Sequence, residues 1–182
     1  TKFIKEGENK LAVEVYKRST GSWLEDQDFW RFSGIFREVY LYSIPKTHIQ
    51  DLFVKTNLDK CYKNAILNLD LKIIGEFNST IDLELMDKNK IVVAKKIGIA
   101  LKSCISLNLN VDNVELWSAE DPYLYTILVV IRDVKGEVVE VVSQKVGFRS
   151  FEMINKVMTI NGKRIVFKGI NRHEFNRSEE RR

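Results

Sequence analysis

The stretch "ILNLDLKI" alternates without a break, with Leu67, Leu69, Leu71 and Ile73 on one side and Asn68, Asp70 and Lys72 on the other. A period of two is the period of an extended strand; a helix would repeat its apolar positions at three and four residues. The pattern recurs in "IDLEL", through Ile81, Leu83 and Leu85, and in "ISLNLNV", through Ile105, Leu107, Leu109 and Val111. Each run asks for a half-buried strand with one face on a core and one in water. "YTILVVIR" is a more continuous β-branched run and suits a central strand buried on both faces. No stretch carries an amphipathic helix of three turns. The chain is therefore expected to be all-β.

Seven strands are predicted between Pro45 and Phe148, at 47–56, 61–74, 80–87, 90–97, 103–111, 123–133 and 137–148. About seven short antiparallel strands in about 100 residues is the count of an immunoglobulin-like sandwich. "DVKG" supplies a turn before the last of them, with Gly136 free to take a positive φ. The flanks do not fit that sandwich. Residues 1–44 read as two strands, "NKLAVEVY" and "IFREVYLYSI", around a long loop, and two strands cannot bury a core alone. After Phe148, "VMTINGKRIVF" reads as a hairpin turning at Asn161-Gly162. The expectation is a complete sandwich between two incomplete pieces.

Composition narrows the function. The 45% hydrophobic and 30% charged residues are those of an ordinary globular protein. A net charge of +4, from 29 basic and 25 acidic residues, is too small and too evenly spread for nucleic acid. No run approaches the roughly 18 apolar residues of a membrane helix, and "TKFIKEGENK" has no signal-peptide character. Without a secretion signal, the sequons at Asn78 and Asn176 carry no weight. Cys61 and Cys104 make no metal or redox spacing and are expected as buried free thiols.

Two clusters could carry chemistry. In "LEDQDFWRFSGIFR", Glu25, Asp26 and Asp28 stand beside Trp23, Phe29, Trp30 and Phe32. Carboxylate oxygens suit a hard cation or sugar hydroxyls, and an aromatic ring covers the apolar face of a pyranose. An acidic surface loop whose aromatics pack under a neighbour would show the same residues. The second cluster, Asn171, Arg172, His173 and Glu174, follows a predicted strand, where α/β barrels place active sites. A solvated turn holding one histidine is the other reading. His48 stands alone. Glu152, Glu174, Glu179 and Glu180 form no credible acid–nucleophile pair of the kind a glycosidase needs.

"SWLEDQDFWRFSGIFREV" and "INGKRIVFKGINRHEF", with "ELWSAEDPYLYTI" and "VGFRSFEM" between them, resemble the bacterial β-galactosidases of glycoside hydrolase family 2 over essentially the whole chain. The resemblance implies three parts. Residues 1–44 would be the C-terminal end of a sugar-binding jelly-roll domain, 45–148 the Ig-like sandwich, and 149–182 the start of a catalytic (β/α)8 barrel. Asp28 matches a carboxylate that ligates sodium and reaches galactose, and His173 matches a histidine that bonds sugar hydroxyls. The acid/base and nucleophile glutamates would lie beyond Arg182, so the fragment itself is expected to be inactive and to bind no cofactor. Sodium and magnesium, a galactoside substrate, a homo-oligomeric parent and a cytoplasmic location belong to the intact enzyme. Some relatives carry a longer insertion where "GIALK" stands here, which puts any subunit contact it makes in doubt. The competing expectation is a free-standing β-sandwich carbohydrate-binding module using the Trp23–Phe32 loop.

Overall fold

The computed structural model describes residues 3–18, 20–23, 34–35 and 37–169. It divides into a unit spanning Ser43–Phe167 and a second made of Thr1–Tyr42 with Lys168–Arg182.

The first unit is built from strands β1 (His48–Leu58), β2 (Ala65–Ile74), β3 (Thr80–Met86), β4 (Val92–Ala100), β5 (Cys104–Val111), β6 (Tyr125–Arg132) and β7 (Val138–Val146). Three short strands follow: β8 (Phe151–Ile154), β9 (Val157–Ile160) and β10 (Lys163–Arg164). One sheet runs β1-β2-β5 and the other β4-β3-β6-β7, with β8, β9 and β10 forming a separate meander. Every pairing is antiparallel. The seven predicted strands are all present. No α-helix occurs among the described residues; Thr20–Trp23 is a single 3-10 turn. A constant-type immunoglobulin domain sets four strands against three, with its fourth strand beside the fifth. Here β4 pairs with β3 instead, so the split is three against four.

The alternation read from sequence becomes the core. Leu67, Leu69, Leu71 and Ile73 of β2 face Ile81, Leu83 and Leu85 of β3 and Ile127, Val129 and Ile131 of β6 across the sandwich, all buried. Each such side chain contributes about 1.5–3 kcal/mol by leaving water. β6 is central, as predicted: Ile127, Val129 and Ile131 are fully inside, and on the outward face Val130 is buried too while Leu128 is half-buried. Outward Asp82 is buried because Arg132 Nε donates to it at 2.7 Å and the Gly98 N–H at 2.8 Å. Gly98 sits at φ +68° in a bulge of β4, a backbone that a β-carbon would strain.

Three strand-ending aspartates share one device. Asp59, Asp87 and Asp133 each accept the N–H groups two and four residues ahead, closing the turns after β1, β3 and β6. A short carboxylate that bonds its own downstream backbone is an Asx turn. At Asp59 the bonds hold the carboxyl below its ordinary range, the Lys63 N–H most strongly.

Some expectations fail. β2 begins at Ala65 and not at residue 61, because Asp59 winds residues 59–64 into a turn. That leaves Cys61 exposed in the turn, and Cys104, the outward first residue of β5, is exposed too. Both thiols are free, as read, but neither is buried. Cys104 pairs with Lys72 at the far end of β2 from Cys61, a separation of about 24 Å along the strand, beyond disulfide reach. The described residues of "NKLAVEVY" and "IFREVYLYSI" form no strand with any other described residue. Leu11, Val13 and Val15 keep the alternation yet remain exposed. A strand exists only when a neighbour takes its ladder bonds, and none of the described residues does so here.

Candidate functional site

Asp28 lies in the 24–33 stretch and His173 in 170–182, both outside the described residues. The same holds for Glu25, Asp26, Asn171, Arg172, Glu174, Glu179 and Glu180. What the structure defines is the platform that leads the chain toward the second cluster.

β6 opens on Tyr125, whose buried hydroxyl accepts the Glu115 N–H at 2.9 Å. Burial is the main cause that lifts its phenol above the usual value. A tyrosine at the start of the sixth strand, bonded back to upstream backbone, is a tyrosine corner. Its ring meets Phe148 edge-on at 5.0 Å, a geometry aromatic quadrupoles favour. Phe148 is fully buried and ends the sandwich, and its carbonyl accepts the Trp117 N–H at 2.9 Å.

From there the chain is tied down residue by residue. A β-carbon at Gly147 would stand 3.0 Å from the Trp117 ring, so the indole would have to give by a few tenths of an ångström. The Arg149 guanidinium lies over the same ring at 4.5 Å, within cation–π range. Asn161 is the joint's central residue. Its side-chain oxygen accepts the Ser150 N–H at 2.9 Å, and its side-chain nitrogen donates to the Trp117 carbonyl at 3.0 Å. The Tyr62 hydroxyl donates to the Glu152 carboxylate at 2.7 Å, and that bond foremost raises its phenol pKa. The Tyr62 ring covers Gly162 so closely that a β-carbon there would come within 2.9 Å.

The meander reverses twice on two-residue turns, Asn155-Lys156 and Asn161-Gly162, with all four residues at positive φ. That is the requirement of a type I′ hairpin turn. Sequence reading found the second turn but missed the first, and with it β8, because Asn-Lys is a weaker signal than Asn-Gly. Tyr62, Trp117 and Asn161 were also missed as a joint; only the tertiary pairing brings them together. Glu152 lacked a scaffold in the sequence reading; the structure gives it one, on β8 under Tyr62. Among the described residues the His48 ring bonds the Pro45 carbonyl, at 2.9 Å. No group of three or more His, Cys, Asp or Glu side chains able to hold a metal occurs among the described residues.

By fold this is an Ig-like β-sandwich module whose exit into the meander is fastened by Tyr62, Trp117 and Asn161. Comparison with known proteins says which kind. The model for glycosyl hydrolases family 2 matches residues 47–149. Its sugar-binding domain model matches 1–45 and its TIM-barrel domain model 151–181. The chain belongs to glycosyl hydrolases family 2. It is 55% identical over 177 residues to a β-galactosidase of Clostridium acetobutylicum, covering 96% of this chain and 20% of that protein. It is likewise 55% identical over 178 residues to a β-galactosidase of Halalkalibacterium halodurans, covering 97% and 18%. Among solved structures it is similar to a β-glucuronidase from Ruminococcus gnavus in complex with D-glucuronic acid, with a TM-score of 0.66 and 26% identity over 78% of this chain and 23% of that one. The chain spans about a fifth of the length of these relatives.

Proposed function

We propose that this chain is part of a β-galactosidase that hydrolyses terminal β-D-galactosides with retention, and that it contributes chiefly the Ig-like domain. The observation that carries the reading is the 55% identity to β-galactosidases across nearly the whole chain. On this reading residues 1–44 end the sugar-binding domain and 149–182 open the catalytic barrel. Exposed apolar side chains on β8 and after β10 support it: Phe151, Met153 and Phe167 are 55%, 64% and 70% exposed. Apolar area of that kind asks for a covering domain.

The described residues do structural work: they fix the direction in which the chain enters the barrel. Asp28 is proposed to hold sodium and reach galactose, since a carboxylate oxygen suits a hard cation. His173 is proposed to bond sugar hydroxyls more strongly as charge develops at the anomeric carbon. The paired glutamates of a retaining glycosidase and the magnesium ligands are assigned to sequence after Arg182. A homo-oligomer in the cytoplasm is part of the same reading.

The test uses the full-length gene product. It should hydrolyse a chromogenic β-galactoside, with the β-anomer of galactose appearing first by proton NMR, while the 182-residue chain alone stays at the buffer rate. An α-anomer first, or preference for a β-glucuronide, refutes the activity. In the full-length protein, Asp28→Asn should raise the sodium needed for half-maximal rate, and His173→Ala should lower kcat/KM at least tenfold.

A further inference from the structure

We infer that the outer face of the β1-β2-β5 sheet is a carbohydrate-binding surface for a neutral oligosaccharide. The argument starts from a violated preference. Asparagine is depleted in strands, because its short amide competes with the backbone for ladder hydrogen bonds. Yet four asparagines lie in described strands, Asn57, Asn68, Asn108 and Asn110, and all four fall on this one face. The outer face of the opposite sheet holds none and carries ordinary strand formers such as Leu128, Val130 and Val141. A local rule broken repeatedly at one place marks a functional surface.

Register makes these residues contiguous. Asn68 stands opposite Asn108 and Lys55; Asp70 stands opposite Ser106 and Phe53; Ile66 stands opposite Asn110 and Asn57. Lys55, Asn57, Asn68, Asp70, Ser106 and Asn108 line a shallow depression of about 330 Å³. Most of its hydrogen-bonding capacity is unspent. The Asn57 and Asn110 side-chain amides make no hydrogen bond among the described residues. Asn68 makes only a 3.5 Å contact to the Ile66 carbonyl, and Asn108 accepts from Lys96 at 3.0 Å. Ser106 donates to Asp70 at 2.5 Å and so aims that carboxylate.

The chemistry selects the ligand. Each amide offers a donor and an acceptor side by side, which matches vicinal hydroxyls. Lys55, Lys72 and Lys96, whose ammonium reaches Asn108, stand against Asp51 and Asp70, so the charges nearly offset and the face selects neither a multiply charged phosphate nor a cation. Phe53, 58% exposed beside Asp70, supplies the apolar ring on which a pyranose face can lie. This goes beyond the proposed hydrolase activity and rests on it only for one of the probes.

The experiment titrates the whole 15N-labelled chain with lactose, cellobiose and maltose in turn. Saturable shifts are expected at the Asn68 and Asn108 side-chain amides and at Phe53, with Kd of about 1–10 mM for at least one disaccharide. Asn68→Thr with Asn108→Thr should weaken binding at least tenfold while Tm holds or rises, since threonine is the better strand former. No saturable shift with any of the three, shifts confined to the Trp23–Phe32 segment, or binding retained by the double variant overturns the inference. Because no catalysis is measured, these outcomes are separate from the fate of the galactosidase reading.

Discussion

Tyr125→Phe isolates one hydrogen bond in the part of the fold that holds the sandwich to its exit. The ring stays, so its edge contact with Phe148 and its place in the core are retained. What goes is the acceptor for the Glu115 N–H. A backbone donor left unmatched costs about 1–3 kcal/mol, and exposure of Glu115 lets water recover part of it, so about 1–2 kcal/mol is expected. For a unit spanning Ser43–Phe167 this lowers Tm by about 4–8 °C. Thermal melts followed by circular dichroism read the value. Tyr123→Phe is the control, because that hydroxyl bonds nothing among the described residues; it should move Tm by less than about 1 °C.

A second arm uses pH. Burial raises the folded pKa of Tyr125 above its unfolded value. Between the two values the unfolded chain has lost its proton and the folded chain keeps it, so stability falls as pH rises. The contribution is complete below about pH 10 and is lost above it. Phenylalanine has no such loss, so the gap between the two proteins should narrow above about pH 10. Tyr62 is shifted the same way, but it is present in both proteins and cancels. An unchanged Tm, an equal loss for Tyr123→Phe, or a gap that holds steady into alkali would refute the reasoning.

Other perturbations address other layers. Leu69→Ala, at a fully buried position, should cost about 2–5 kcal/mol in urea unfolding. Gly162→Ala meets both a φ of +74° and the Tyr62 ring. It should cost more than about 1 kcal/mol and speed hydrogen exchange at Met158 and Thr159 ahead of the sandwich core. Asp59→Asn weakens the bonds that depress the carboxyl pKa. Its deficit should be full at neutral pH and vanish as acid carries the native carboxyl through its lowered pKa, in unfolding curves compared from neutral to acid pH.

Strands whose two faces differ were legible because burial writes itself into every second residue: β2, β3 and β5 could be read from their leucines and isoleucines alone. Strand ends were less legible. The rule that sets them, an aspartate bonding two and four residues ahead, is visible in "LDKCYKN", "MDKNKI" and "RDVKGE" only once the turns are known. Cys61 was misplaced for the same reason, since it fell in such a turn. Residues 9–16 and 35–44 show the opposite failure: pattern states what a segment would bury, and pairing depends on who is present. The joint at Asn161 was half-seen. Asn-Gly announces a turn, but nothing local says that the amide reaches a tryptophan carbonyl 44 residues upstream. The two site residues, Asp28 and His173, came from resemblance and await their own test.

The Ile49 N–H bonds the Glu140 carboxylate at 2.7 Å, pinning the start of β1 beside the early part of β7. β7 then runs the length of the sandwich and leaves at Val146, level with Tyr125. The chain thus enters at one end and leaves the sheet about 20 Å away, the reach of β7 from Glu140 to Val146. Such a domain is a strut with its fastenings at opposite tips. Its stiffness sets a spacing, and a softened core would let that spacing wander before the fold was lost. Mutations deep in β2 or β6 would then be felt as changes of alignment between the two ends of the domain.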